Sequence, residues 1–395
     1  MGARRFRRPA ASRYIPFFKP WTDRREIGQV AGSIATGWLT TGPKVRQFEA
    51  GIKKLVGARH AVALNSCTAA LHLSLLVAGV RRGDEVITSP YTFAATGEAI
   101  QYLGARPVFA DIDPDTLNLD PDRVARAVTR RTRVILPVHV AGLPCEMKPL
   151  IDIARKRKLL VVEDAAHAIG AREGRRPIGS IGDLTCFSFY ATKNLTAGEG
   201  GMVTTRRRRL AERIRLLSLH GLSQGAWERY SRSGSWRYDV LEVGFKYNMS
   251  DLAAGIGLAQ LAKFRTMQAR RRRLARRYTQ SLRCLEALDL PVERAGATHA
   301  WHLYIVRLRT GVLRISRARV IECLARKGIG TSVHFLPLHL QSHYRTTYGY
   351  RRGSFPNAER ESGRAISLPL YPGLSDTDQD RVVEVLADIE RRYRR

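Results

Sequence analysis

The sequence predicts an α/β protein: a mostly parallel sheet sandwiched by helices, joined to a smaller C-terminal α/β unit. Strand-like apolar runs alternate with helix-like segments from about residue 44 to residue 250. Parallel pairing produces such alternation, because each crossover carries a helix over one face of the sheet. The helical pattern from Thr68 to Val80 is apolar on nearly every side, so it belongs in the interior. A second, longer helical pattern, Ser250 to Cys284, leads into a region with its own strand and helices.

In chain order, residues 1–40 read as an arm with little regular structure, residues 41–255 as the large unit and residues 256–395 as the small one. Strand-like runs fall at Glu85 to Thr88, Pro107 to Ala110, Val134 to Val138, Leu159 to Glu163 and Thr185 to Phe189. Helices such as Met147 to Lys156 lie between several of them. Ligands of such sheets bind at the carboxyl ends of the strands. The small unit contains a strand at Leu303 to Leu308, a helix around Val320 to Lys327, and a final helix from Asp376, for which Ser375 is a suitable N-cap.

A chain of 395 residues can build one large core and one smaller one, and its 44% apolar and 26% charged content is ordinary for a globular protein. Its net charge of +32 is not ordinary, and arginine carries most of it, as in Arg206 to Arg209, Arg270 to Arg273 and the tail Arg391 to Arg395. Such a surface attracts polyanions and anionic substrates. The clusters fall where helices are expected, so solvated helix faces account for them. No helix-turn-helix, zinc-finger or RNA-binding signature accompanies them, so no specific nucleic-acid partner is expected. The cysteines (Cys67, Cys145, Cys186, Cys284 and Cys323) are odd in number and scattered, which predicts reduced thiols in a cytoplasmic protein. The basic N-terminus lacks the apolar segment of a signal peptide, and no run of about 18 uncharged apolar residues predicts a membrane span.

Two residues suggest chemistry. Lys193 lies in Ser188-Phe-Tyr-Ala-Thr-Lys193-Asn194, after a strand and before the turn Gly198-Glu199-Gly-Gly201. Asp164 closes the apolar run Leu159-Leu-Val-Val-Glu-Asp164. A lysine amine and a strand-end carboxylate suit a pyridoxal phosphate enzyme: the amine forms a Schiff base, and the carboxylate keeps the pyridine nitrogen protonated. Other residues read two ways. Asn65-Ser66-Cys67-Thr68 suits a phosphate at a helix start, but taken alone a simple cap is the commoner explanation. Phe93 could stack on a flat ring or fill the core, His167 could meet a phenolic oxygen or be structural, and the Ser188 hydroxyl could face the site. His299, His302, His334, His339 and His343 match no zinc spacing, so no metal is expected. Gly255-Ile-Gly257 lacks a third glycine and falls in a helical stretch, which rejects a dinucleotide fingerprint.

Several motifs together resemble the DegT–StrS family of sugar-nucleotide aminotransferases, which have the aspartate-aminotransferase fold, type I among pyridoxal phosphate enzymes. They run from Thr36-Gly-Trp-Leu-Thr-Thr-Gly-Pro-Lys-Val45 through Gly83-Asp-Glu-Val-Ile, Glu163-Asp-Ala-Ala-His167 and the lysine loop. Phe245-Lys-Tyr-Asn-Met-Ser-Asp251, Gly330-Thr-Ser-Val-His-Phe-Leu-Pro-Leu-His339 and Ile366-Ser-Leu-Pro-Leu-Tyr-Pro-Gly-Leu374 complete the set. The resemblance implies that Lys193 holds the cofactor and shuttles the proton, and that Asp164 pairs with the pyridinium. It places His167 near the phenolic oxygen and Phe93 on the ring. Cys67, Thr68 and Ser188 fall at phosphate-binding positions, Cys67 offering only its backbone N–H. Asn248 matches an asparagine that reaches the cofactor phosphate of a neighbouring subunit, which implies a homodimer with shared active sites. His334 and Glu199 fall in segments close to the sugar.

The implied activity is transfer of an amino group, from glutamate by expectation, to a nucleotide-linked keto-sugar, cycling the cofactor through pyridoxamine phosphate. The Glu199 turn and the His334 to His339 loop look more like relatives acting at carbon 4 of a UDP-linked 4-keto-6-deoxy sugar than at carbon 3. Relatives that replace the lysine with histidine dehydrate the sugar instead, and Lys193 favours amination. From another class, a basic regulatory or nucleic-acid-binding protein on a retired enzyme fold is the remaining alternative, and the intact Lys193 and Asp164 argue against it. The route served would be synthesis of surface polysaccharide, lipid or secondary-metabolite glycans.

Overall fold

Residues 14–223 and 238–395 are described here from a computed structural model of the chain. The basic residues before Tyr14 lie outside the described residues. The first helices are α1 (Arg24–Thr36) and α2 (Pro43–Val56), followed by β1 (His60–Leu64) and α3 (Cys67–Val77). Then come β2 (Glu85–Thr88), α4 (Ala94–Gln101), β3 (Arg106–Phe109), α5 (Pro121–Ala127), β4 (Thr132–Leu136), α6 (Met147–Arg157) and β5 (Leu160–Asp164). A short hairpin of β6 (Arg172–Glu173) and β7 (Arg176–Pro177) precedes β8 (Leu184–Ser188), β9 (Gly201–Thr205) and α7 (Arg208–Leu217). A 32-residue helix, α8 (Asp251–Leu282), leads to β10 (Leu288–Asp289), β11 (Ala297–Thr298), β12 (Tyr304–Leu308) and β13 (Ala365–Leu368).

The main sheet has the order β1-β9-β8-β5-β4-β2-β3. Every strand runs parallel to the others except β9, which is antiparallel to both β1 and β8. That exception matters for the site. An antiparallel neighbour needs no crossover helix, so β8 connects to β9 through the loop of residues 189–200, and Lys193 is on that loop. Asp164 pairs with Cys186 of β8, which brings the carboxylate and the lysine loop to the same edge of the sheet. The N-terminus of α3 reaches that edge too. A side chain at Gly201, the first residue of β9, would run into the Ser66 carbonyl, so only glycine lets β9 pass so close to the start of α3.

Apolar residues pack on both faces of the main sheet. Helix α3 is buried along its length, as its apolar surface requires, with Ser66 accepting from the Ala69 N–H as its N-cap. Helix α8 joins two cores: Ala254, Phe264 and Met267 pack with the main sheet, whereas Leu274, Tyr278 and Leu282 pack with the antiparallel sheet β10-β12-β13. Gly257 is inside α8, where a Cβ would strike the Phe48 ring of α2; its role is helix packing.

Two expectations are corrected. The segment before residue 40 is not devoid of regular structure, because α1 occupies Arg24–Thr36 and packs on α8. Asp23 and Glu26 close its N-terminus as a reciprocal capping box, and Glu26 pairs with buried Lys263 at 2.7 Å. Nor are all the arginine clusters solvated. Arg206 to Arg209 are exposed, but Arg271 is buried and donates to the Leu370 carbonyl at 3.0 Å.

Candidate active site

A cavity of about 690 Å³ opens at the carboxyl edge of the main sheet. It gathers Cys67, Thr68, Phe93, Asp164, His167, Ser188, Lys193, Glu199 and His334, residues scattered over most of the chain. Asn248 is the exception among the expected site residues. Its amide donates to the Thr41 hydroxyl at 2.7 Å, and it lines a separate groove beside Arg46 and Arg215.

Asp164 ends β5 and is almost wholly buried. Thr96, near the start of α4, donates to Oδ2 at 2.8 Å, and the Ala166 N–H donates to Oδ1 at 3.1 Å. Burial pushes its carboxyl up, while these two donors and the Lys193 ammonium pull it down. Lys193 is held by its backbone N–H, which donates to the Tyr190 carbonyl at 2.9 Å. Burial lowers the pKa of its amine, and the Asp164 carboxylate opposes that shift. A lowered amine pKa makes the lysine a better nucleophile and base at neutral pH. Burial, followed by Asp164, pushes the Cys67 thiol well up, so its sulfur stays protonated.

His167 is buried against the His302 ring at 4.3 Å and stacks on Phe335 at 5.7 Å. Burial, then the charges of Lys193 and His334, holds it well below the usual histidine range, so it is neutral. Phe93 is 65% exposed on the cavity wall, so its ring is not part of the core. His334 hydrogen-bonds the Ser367 hydroxyl at 2.8 Å and stacks on Phe17 at 5.7 Å. The other histidines between residues 299 and 343 go to separate partners: His299 to Trp301, His302 to Asn194, His339 to Glu359 and His343 to Gln101. Among the described residues no group of His, Cys, Asp and Glu could hold a metal ion.

A model of the DegT/DnrJ/EryC1/StrS aminotransferase family matches residues 20–387 of the chain. The chain belongs to this family. Among curated relatives, the spore coat polysaccharide biosynthesis protein SpsC of Bacillus subtilis is 48% identical over 377 residues, which is 95% of this chain and 97% of SpsC. A Streptococcus pneumoniae protein described as a sugar aminotransferase, solved in pyridoxamine phosphate form, superimposes with a TM-score of 0.90 at 34% identity, covering 96% of this chain and 99% of its own. The same protein has been solved with pyridoxal phosphate. DesI, solved in the presence of its TDP-sugar product, gives a TM-score of 0.87 at 36% identity over 97% of this chain and 95% of its own. This aminotransferase therefore has the type I fold and uses pyridoxal phosphate.

The cavity fits that cofactor on its own evidence. It joins a half-buried lysine, a buried carboxylate and free N–H groups at the start of α3 in a volume suited to one small ligand. It also leaves His167 Nδ1 buried without a partner. Sequence reasoning missed the parts played by Thr96, Asn194 and His302. Thr96 carries no motif, and its role depends on α4 packing beside β5. Ser66 was readable as an N-cap, and Asn194 adjoins the lysine.

Proposed function

We propose that this aminotransferase moves an amino group from an amino acid, glutamate, to carbon 4 of a nucleotide-linked keto-sugar of the UDP-4-keto-6-deoxy type. The observation that carries the reading is the intact Lys193 in one cavity with Asp164. SpsC's part in coat polysaccharide synthesis and DesI's TDP-sugar product support a nucleotide-sugar substrate and glycan biosynthesis. Glu199 and His334 line the same cavity, which supports a sugar between them.

Bound pyridoxal phosphate supplies a protonated ring that accepts an electron pair from the reacting carbon. The chain's own residues do the rest. Asp164 would pair with the ring nitrogen, and Thr96 and the Ala166 N–H hold its two oxygens in place. Cys67 and Thr68, at the start of α3, and the Ser188 hydroxyl would hold the phosphate. Phe93 would cover the ring face, and His167 would hydrogen-bond the phenolic oxygen. Lys193 Nζ would accept and return the proton moved during the reaction, as its lowered pKa allows. Phe335, Leu368 and Leu370 line part of the cavity and exclude water there.

In this reading residues 41–255 bind the cofactor, residues 256–395 form a second domain, and the protein works in the cytoplasm as a homodimer. Asn248, outside this chain's cavity, supports a site completed by a second subunit. The test is amination of UDP- and dTDP-linked 3-keto and 4-keto sugars with glutamate, read by product mass and NMR. A 4-amino sugar is expected. A 3-amino product would overturn the carbon assignment, and a deoxy sugar without nitrogen would overturn transamination. In Lys193→Ala, both turnover and borohydride-fixed cofactor should be lost, and undiminished amination would sink the role of the lysine.

A further inference from the structure

Beside His167, where His302 lines the same cavity, lies a set of side chains without a role so far. The carbonyl of Ala300 can only accept, and it receives the Gln268 amide at 2.6 Å and the Asn194 amide at 2.7 Å. Asn194 also donates to Gln268 Oε1 at 3.3 Å. Its nitrogen is thereby committed, so its oxygen must face the His302 Nδ1 at 3.0 Å. An amide oxygen cannot donate, so His302 carries its proton on Nδ1, and in the neutral ring the lone pair is on Nε2. Neutral imidazole in water favours the other tautomer, so this assignment is specific.

The backbone holds His302 in place as firmly as its side chain does. Its N–H donates to the Ala141 carbonyl at 2.9 Å, and the Ala300 N–H donates to Gly142 at 2.8 Å. Gly142, at φ +97°, leaves no room for a Cβ between the His167 carbonyl and the His302 nitrogen. Arg271, buried with its Nε unpartnered, donates to the carbonyls of Trp301 at 3.4 Å and His302 at 3.5 Å. The groups that act on His302 are His167, Lys193, Arg271 and His334, all cationic when charged, and together with burial they favour a neutral ring.

We propose that His302 is a positioning residue for His167: Asn194 locks it as the Nδ1–H tautomer, and its neutral ring, packed at 4.3 Å, keeps His167 oriented and uncharged at the cavity wall. The proposal rests on His167 facing the cofactor, but its first test does not need the cofactor. In cofactor-free, ¹⁵N-histidine-labelled protein, His302 should show a protonated Nδ1 and an unprotonated Nε2, unchanged across about pH 6 to 8. A protonated Nε2, or titration in that range, would overturn the proposal whatever reaction the enzyme catalyses. Asn194→Asp places a carboxylate on the same ring nitrogen. His302 should then be an imidazolium at neutral pH, and the His167 resonances and a new limb of the kcat/KM profile should share its midpoint. In the loaded enzyme, His302→Ala should shift the pH dependence of cofactor absorbance by about one unit. His302→Phe, which keeps the ring contact, should restore part of that shift. An unshifted His302→Ala titration would reduce His302 to a packing residue.

Discussion

Lys193 and Asp164 are perturbed in complementary directions by one cause, burial, which disfavours charge on both. Their proximity offsets part of that cost. Removing the carboxylate's charge should therefore damage turnover more than folding. Asp164→Asn keeps the shape and should lower kcat by on the order of 100-fold or more, with little change in the urea midpoint. Equal losses in activity and stability would show that Asp164 is structural. These two residues were legible because strand-end carboxylates and post-strand lysines are local patterns. Thr96 and His302 were not, because a threonine in a helix or a histidine before an apolar strand has no pattern until something packs against it.

Among the elements, Asp251 shows how a motif residue can be structural. It ends the run Phe245 to Asp251 and begins α8, yet its buried carboxylate accepts from the N–H groups of Gly42 at 2.9 Å, Lys44 at 3.1 Å and Val45 at 2.9 Å. It thus caps α2, whose own N-cap, Gly42, has no side chain to do so. Asp251→Ala should cost about 3 kcal/mol or more, read as a lower urea midpoint. A change under about 0.5 kcal/mol would show that water replaces the cap. The starts of α3, α8 and the final helix (Asp376–Tyr393) fall within a residue of where the sequence reading put them, and Ser66, Ser250 and Ser375 cap them. Helix α1 carried equally readable signals, Asp23 followed by Glu26 and then Ile27, Val30, Ala31 and Ile34 at helical spacing, and the basic, proline-broken segment before them masked both.

Across the whole molecule, charge and buried histidines set the response to solution conditions. At a net charge of +32, self-repulsion opposes the compact state, so raising the salt from about 0.02 to 0.3 M should raise Tm through screening. A falling Tm would mean that local ion pairs outweigh the repulsion. Burial lowers His299 to about 3 and His334 to about 4. The unfolded chain then binds the extra protons, so the contribution of these two rings is full above about pH 6.5 and falls as pH drops towards those values, whereas that of His139, raised to about 10 against burial by Cys145 and Glu163, is full below about pH 6.5. His299 and His334 should each cost about 2 kcal/mol between pH 6.5 and 5. Asp164, raised by burial, works in the opposite sense as pH falls. Urea midpoints at pH 7.5, 6 and 5 check the direction, and a flat profile would contradict the burial of these rings.

The alternation of strands and helices, the buried α3, the long α8, the lysine loop and the family resemblance were all readable in the chain. Each is a local pattern of hydrophobicity, capping or residue order, and short-range chemistry is enough to write it. Three-dimensional packing decided the rest. It ran β9 antiparallel, so that the lysine loop turns back at the edge beside Asp164. It also laid residues 299–303 across Gly142, bringing His302 against His167. The second of these joins residues more than a hundred positions apart. No local pattern encodes them, because they depend on which surfaces close on one another once the cores form.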